Sequence, residues 1–279
     1  APSAWPSPTP SSGRITADWE AASHATHDFW WVPPPRHRRG AGGRARRAGG
    51  FRAQGGWFGV CSGRDPGTLK AELAQFGLVC DFLIMMNGAR IEADGSCLRE
   101  ITLQGYDCVL PLLRERTQFF AIIGNGMAYL SECDPKSEIP QGDQRFVQAI
   151  RRTYRLMPQP EDLPVAYQIS CRTEHDSAAV ALADELHTHG LCAYPNCEYV
   201  DLVPAGVGKA EAVDAVREHY RLPVHAVWTA GDGRNDMEML SRFFGFAMMQ
   251  AEDCVKQAAG RTADSVGRAL EHIIMEEQK

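Results

Sequence analysis

Apolar residues recur along this chain in two rhythms. Short continuous runs, rich in β-branched and aromatic side chains, read as buried strands over 57–61, 82–86, 117–123, 127–130, 166–171, 199–203, 225–230 and 244–249. Between them the apolar positions take helical spacing. Asp65-Pro66 opens one such stretch, an N-cap acid with proline at the first helical position; Leu69, Leu73 and Phe76 form its inner face, and Gly77 stops it. Further helices are expected over 143–154, with Phe146, Val147 and Ile150 on one face, and over 177–189, ended by Gly190. Others follow from Lys209, with Ala212, Val213, Val216 and Tyr220 inward, after Asp236, over 252–259 and over 265–275. Strand and helix alternate at both ends, which predicts an α/β fold with a parallel sheet. In the middle the grammar changes. Residues 90–133 read as β-rich, and Asn125-Gly126 between two apolar runs predicts a hairpin. The expected division is a core from residues 51–87 and 200–279, interrupted by an α+β insertion over 88–199.

Residues 1–56 follow neither rhythm. They hold a proline run at 33–35, Gly-Gly pairs and the arginine-rich stretch 36–47. The simplest expectation for 1–50 is a disordered basic tail. A transit peptide or a nucleic-acid arm are the sharper readings, and Asp18, Glu20 and Asp28 weigh against the first.

Charge sharpens the contrast. Eight arginines against three acids make residues 1–56 carry +5, so the rest must carry −11 of the net −6. So acidic a body is a poor partner for nucleic acid. No apolar stretch reaches the roughly 18 residues of a membrane span. The nine cysteines form no Cys-x-x-Cys pair, which suits reduced thiols in a cytoplasmic protein and not a disulfide scaffold or zinc site. The sequence is silent on oligomeric state.

The candidate chemistry gathers at strand ends. In 229–240, the string Gly231-Asp-Gly-Arg-Asn-Asp236 sets Asp232 and Asp236 in the turn between a strand and a helix, where open α/β sheets bind ligands. Paired acids there suit a hard cation such as Mg²⁺, which shares oxygen ligands with a phosphate. Ser62 and Gly63 end the strand at 57–61, a hydroxyl and backbone N–H groups fit to hold phosphate. Lys209 stands at a helix start, where the dipole disfavours a cation; its ammonium should answer a phosphate or a carboxylate instead. His175, His187, His189 and His219 lack ligand spacing, and the methionines read as core packing.

Taken in order, Cys61-Ser-Gly-Arg64, Asn87-Gly-Ala89, Gly206-Val-Gly-Lys209 and Gly231-Asp-Gly-Arg-Asn-Asp236 resemble the motifs of the haloacid dehalogenase (HAD) superfamily, in its C2-capped, Cof-like branch. Ser265-Val-Gly-Arg-Ala-Leu270 resembles the family's tail. The resemblance implies a Rossmann-like parallel-sheet core, an inserted α+β cap and Mg²⁺-dependent hydrolysis of phosphate monoesters, with a small phosphorylated metabolite such as a sugar phosphate as partner. By it, Ser62 and Gly63 hold the phosphate with Asn235, Lys209 neutralises charge, Asp232 binds Mg²⁺, and Asp236 supports the metal and orients Lys209. The family's first motif, Asp-x-Asp, occurs nowhere upstream of Ser62, where Asp18 and Asp28 are lone acids. The resemblance therefore implies an impaired phosphatase whose residues 1–50 are an aberrant segment joined to a family body near Phe51, or a non-catalytic binder of phosphates; an interaction protein acting through 36–47 is a third expectation.

Overall fold

A computed structural model describes residues 29–32, 52, 56–75, 78–124, 128–131, 154–156, 165–188 and 191–276. The first element is β1 (Phe29–Val32). β2 (Trp57–Cys61), α1 (Pro66–Gln75) and β3 (Phe82–Met85) then make a β-α-β step. The Asp65 carboxylate caps α1 by accepting the N–H groups of Gly67 and Thr68, at 2.9 and 3.0 Å, as its position before proline predicts. β4 (Arg90–Ala93) and β5 (Ser96–Glu100) follow as a hairpin, turned at Asp94-Gly95 with φ of 52° and 77°.

The middle of the chain holds α2 (Leu110–Arg116), β6 (Phe119–Ile123), β7 (Ala128–Leu130), β8 (Tyr154–Leu156), β9 (Gln168–Arg172), α3 (Asp176–Thr188), β10 (Cys192–Asn196) and β11 (Tyr199–Val203). The last part holds α4 (Lys209–His219), β12 (Trp228–Gly231), α5 (Met237–Arg242), β13 (Phe244–Met248), α6 (Asp253–Ala259), β14 (Thr262–Ala263) and α7 (Val266–Glu276).

Two sheets organise these elements. The core sheet has the order β14-β13-β12-β1-β2-β3-β4-β5. Its pairs β12–β13, β13–β14 and β2–β3 are parallel. β1 lies between β12 and β2, antiparallel to both, so those two strands run the same way and end at the same edge. The second sheet has the order β10-β11-β9-β6-β7-β8 and is antiparallel apart from the β7–β8 pair. This is a Rossmann-like core with an inserted α+β cap.

Burial follows the apolar pattern. On one face of the core sheet, Leu69 and Leu73 of α1 and Val266, Ala269, Leu270 and Ile273 of α7 pack on Phe58, Val60, Trp228 and Phe246. On the other, Ala212, Val213 and Val216 of α4 and Met239 and Leu240 of α5 cover Phe82, Ile84 and Ala247. The cap sheet turns one face to α2 and α3, burying Phe120, Ile122, Ile169, Leu182 and Leu186. Its other face buries Ala121, Ile123 and Val203 with Met86 and Ala89 at the core.

The structure moves three boundaries. β4 and β5 extend the core sheet, although 88–199 was expected to be cap throughout. β11 belongs to the cap sheet, although 200 onward was expected to be core. A short apolar run specifies a buried strand but not which sheet receives it. Within the expected tail, Phe29–Val32 fills the centre of the core sheet; four apolar residues without helical or strand continuation carry no sequence signal of that gap. The expected helix over 143–154 lies outside the described residues, except that Tyr154 begins β8. β6 and β7 pair antiparallel as the hairpin expectation requires, while the Asn125-Gly126 turn itself lies outside the description. Residues 225–230 form a strand only from Trp228, because Val224–Ala226 make a 3-10 turn.

Candidate active site

Every candidate residue lies at the edge where β2 and β12 end. Ser62 follows β2 and is anchored by its own N–H, which donates to the Ile84 carbonyl at 2.9 Å. Its hydroxyl oxygen accepts the Arg64 N–H at 3.2 Å, and the residue is buried. Gly63 follows directly.

The turn after β12 is built around Asp236, which is wholly buried. Its Oδ2 accepts the N–H groups of Asp232 and Gly233, at 3.1 and 2.9 Å. Its Oδ1 accepts Lys209 Nζ at 2.7 Å. Gly231 permits this approach, since a Cβ there would stand 2.5 Å from Asp236 Oδ2. The Lys209 side chain is also buried, 1% exposed against 0% for its partner. Two charges so far from water persist only when paired and hydrogen-bonded, so Lys209, out of place at a helix start, answers a carboxylate. Asp232 is half-buried, with Gln250 Nε2 3.5 Å from its Oδ2.

Asn87 joins the two loops. Its N–H donates to the Ser62 carbonyl at 3.0 Å, and its Oδ1 accepts Asn235 Nδ2 at 3.1 Å. Hydrogen bonds thus tie Lys209 and the 232–233 backbone to Asp236, and Asn235 of the same turn to Asn87 and through it to Ser62.

Three polar residues that sequence reasoning missed come from the cap. Gln168 and Ser170 lie on one face of β9, and Asp201 pairs with Ser170 across β11. All three bond to Asn87 or to one another beside Gly63. The available signal was polar residues alternating with Ile169 and Cys171, and an acid amid the apolar run 199–203. At the outer rim Arg234 spans the two units, 2.8 Å from Glu252 and 3.6 Å from Asp176 on the cap helix α3. The Arg234 guanidinium holds the Glu252 carboxyl below its ordinary value. Tyr194 donates its hydroxyl to the Val207 carbonyl at 3.0 Å, just before Lys209, and burial pushes its pKa up to about 12.

The donor set suits a magnesium ion shared with phosphate better than one caged by protein. Asp236 has both oxygens committed, and among the described residues no group of three or more His, Cys, Asp or Glu is assembled to hold a metal. Mg²⁺ is commonly held by one or two carboxylates, with waters and phosphate oxygens completing its shell. Asp232 could supply one such carboxylate.

Fold and site together define a Rossmann-like α/β core whose polar residues gather at the strand ends, with a cap in contact beside them. Residues 50–268 match the family of haloacid dehalogenase-like hydrolases. The chain belongs to that family. Its fold is similar to the HAD subclass IIB sugar phosphatase BT4131, at 18% identity and TM-score 0.63, covering 77% of this chain and 84% of that one. A haloacid dehalogenase-like hydrolase from B. subtilis aligns at 18% identity and TM-score 0.64 over 77% and 87% of the two chains. A HAD/COF-like hydrolase from Plasmodium vivax aligns at 16% and 0.64 over 79% and 83%. A search of curated proteins finds no match.

Proposed function

We propose that the chain is a Mg²⁺-dependent phosphoric monoester hydrolase by descent, acting on a small phosphorylated metabolite such as a sugar phosphate, with turnover strongly impaired. The observation that carries this reading is that Lys209 bonds Asp236, which ties down the 232–236 turn, while Asn235 of the same turn bonds Asn87, whose N–H bonds the Ser62 carbonyl. It brings a hydroxyl, an ammonium and a carboxylate turn to the same strand ends.

In this proposal the Ser62 hydroxyl and Gly63 N–H bind phosphate oxygens, and Asn235 adds an amide donor. Lys209 offsets phosphate charge and is held in place by Asp236. Asp232 would hold the metal, with Asp236 fixing the turn behind it. A bound Mg²⁺ would supply positive charge to the phosphoryl oxygens as charge develops there. Fixed donors in a water-poor site stabilise that charge far better than water does. Impairment follows from the missing Asp-x-Asp upstream of Ser62. Loss of a nucleophile from a concerted site costs on the order of a million-fold. That same absence supports a second reading, a phosphate- or sugar-phosphate-binding protein without turnover. Every described cysteine is a free thiol, which fits a cytoplasmic setting. Among the described residues no helix is long and apolar enough to cross a membrane.

Calorimetric titration with inorganic phosphate, with and without Mg²⁺, tests the site. Binding that needs Mg²⁺ and disappears in Asp232→Asn is the expected result; binding indifferent to both would defeat the proposal. Phosphate release from sugar phosphates, sensitive to chelator, then separates the impaired enzyme from the pure binder.

A further inference from the structure

The turn that follows β2 has the carbonyls of Ser62, Gly63 and Arg64 all tied down. The Asn87 N–H donates to the Ser62 carbonyl and the Met86 N–H to the Arg64 carbonyl, both at 3.0 Å. Those two donors are main-chain groups of the core. The middle carbonyl, that of Gly63, accepts Gln168 Nε2 at 3.0 Å. Gln168 begins β9 in the cap and is 1% exposed. The rest of its carboxamide is committed as well. Its other amide hydrogen goes to Ser170 Oγ at 2.8 Å, and its Oε1 accepts Asn87 Nδ2 at 3.1 Å. Asn87 Nδ2 also donates to Asp201 Oδ2 at 2.9 Å, and Ser170 Oγ to Asp201 Oδ1 at 2.6 Å, which closes a ring. The Gly63 carbonyl can only accept, so it fixes which end of the Gln168 amide faces it.

A trans peptide group is planar, so fixing its carbonyl also fixes the N–H on the opposite side. The bond to the Ser62 carbonyl therefore turns the Gly63 N–H away from the Asn87 backbone. The bond from Gln168 likewise directs the Arg64 N–H, which Ser62 Oγ accepts at 3.2 Å. With Oγ accepting there, the Ser62 hydroxyl hydrogen is left to be given. Among the described residues no acceptor takes that hydrogen, nor the Gly63 N–H. Two adjacent donors without acceptors, one on a side chain only 2% exposed, are what an anion would satisfy. Space around the turn is tight. A Cβ on Gly63 would stand 3.1 Å from Asn87 Nδ2 and 2.9 Å from Asp201 Oδ2.

We infer that Gln168 is a positioning residue, a cap side chain that holds the 62–64 turn in the shape that presents the Ser62 hydroxyl and the Gly63 N–H to phosphate. The inference rests on the phosphate-site reading above and adds to it a residue from the other unit. Without the Gln168 donor, nothing fixes the Gly63–Arg64 peptide from its carbonyl side. The Arg64 N–H can then leave Ser62 Oγ, and the hydroxyl loses the bond that sets its direction.

Calorimetric titration of the full chain with inorganic phosphate, in Mg²⁺, tests this with two variants. Gln168→Met keeps the volume and removes the donor, and it should weaken phosphate binding by about tenfold. Tyr194→Phe removes a different cap–core bond, the one to the Val207 carbonyl, and leaves the 62–64 turn untouched. It should stay within about twofold of the wild type. In the ligand-free protein Gln168→Met should also shift the Arg64 amide nitrogen resonance, because that peptide has lost the bond at its carbonyl; Tyr194→Phe should not. Phosphate binding by Gln168→Met at wild-type strength, or equal weakening in both variants, overturns the inference and leaves the phosphate site standing. If Gln168→Met does not fold, hydrogen exchange of the wild type takes its place. Phosphate should slow exchange over 168–172 on β9 more than over 176–188 on α3, since coupling between two sites is reciprocal. Equal slowing, or none, overturns the inference. Wild-type protein that does not bind inorganic phosphate removes the phosphate-site reading and this one together.

Discussion

At the scale of single residues, the site depends on one buried ion pair. Lys209 and Asp236 lie 2.7 Å apart with almost no exposure. Removing one partner strands the other, so Lys209→Ala should lower unfolding stability by about 3–5 kcal/mol in urea titration. The double variant Lys209→Met, Asp236→Asn should recover part of that loss, because no unpaired charge remains. A loss for the single variant below about 1 kcal/mol, the range of an exposed pair, would show that the two charges are not truly desolvated. Lys209 was legible in the sequence as a cation in the wrong place on a helix. Ser62, Asp232 and Asp236 were legible as polar residues at strand ends. Asp201, Ser170 and Gln168 were not, because an isolated acid in an apolar strand reveals its role only when its cross-strand neighbour is known.

At the scale of elements, β1 is the piece that local pattern could not assign. It is paired on both sides, to β12 and to β2. Proline inside a doubly paired strand removes a donor and is excluded from central positions. Trp31→Pro should therefore lower the melting temperature by roughly 4 °C or more, the shift that about 1–2 kcal/mol brings in a protein of this size. An unchanged melting curve would mean that 29–32 does not contribute to the sheet. The longer elements carried their own signal. α7 repeats Val266, Ala269, Leu270 and Ile273 at helical spacing and buries all four. β4 and β5 fall in the stretch read only as β-rich and assigned to the insertion, since β-rich character does not say which sheet a strand joins.

At the scale of the whole molecule, charged groups fasten the edge of the core sheet. Glu92 on β4 lies 2.7 Å from Lys70 of α1 and 3.1 Å from Arg90. Burial alone would raise its carboxyl, but Lys70 and Arg90 outweigh that and hold it below 4.5. A depressed carboxyl contributes stability above its unfolded value, and that contribution is lost as pH falls through the folded value. Stability should thus drop on acidification below about pH 4.5, and Glu92→Gln should make the acid limb of the curve shallower. Chemical denaturation from pH 6 to pH 3 measures both; identical limbs would remove Glu92 from the account.

The order of motifs along the chain, with the strand–helix rhythm around them, was enough to determine an α/β core, an insertion and the candidate residues of the proposed site. These are local properties: periodicity, capping and the chemistry of a turn after a strand. Sheet membership, the entry of 29–32 into the core and the ring closed by Asn87, Gln168, Ser170 and Asp201 were decided only by tertiary structure. Each depends on which distant segment supplies the missing hydrogen-bond partner, and a strand's own residues do not encode that choice.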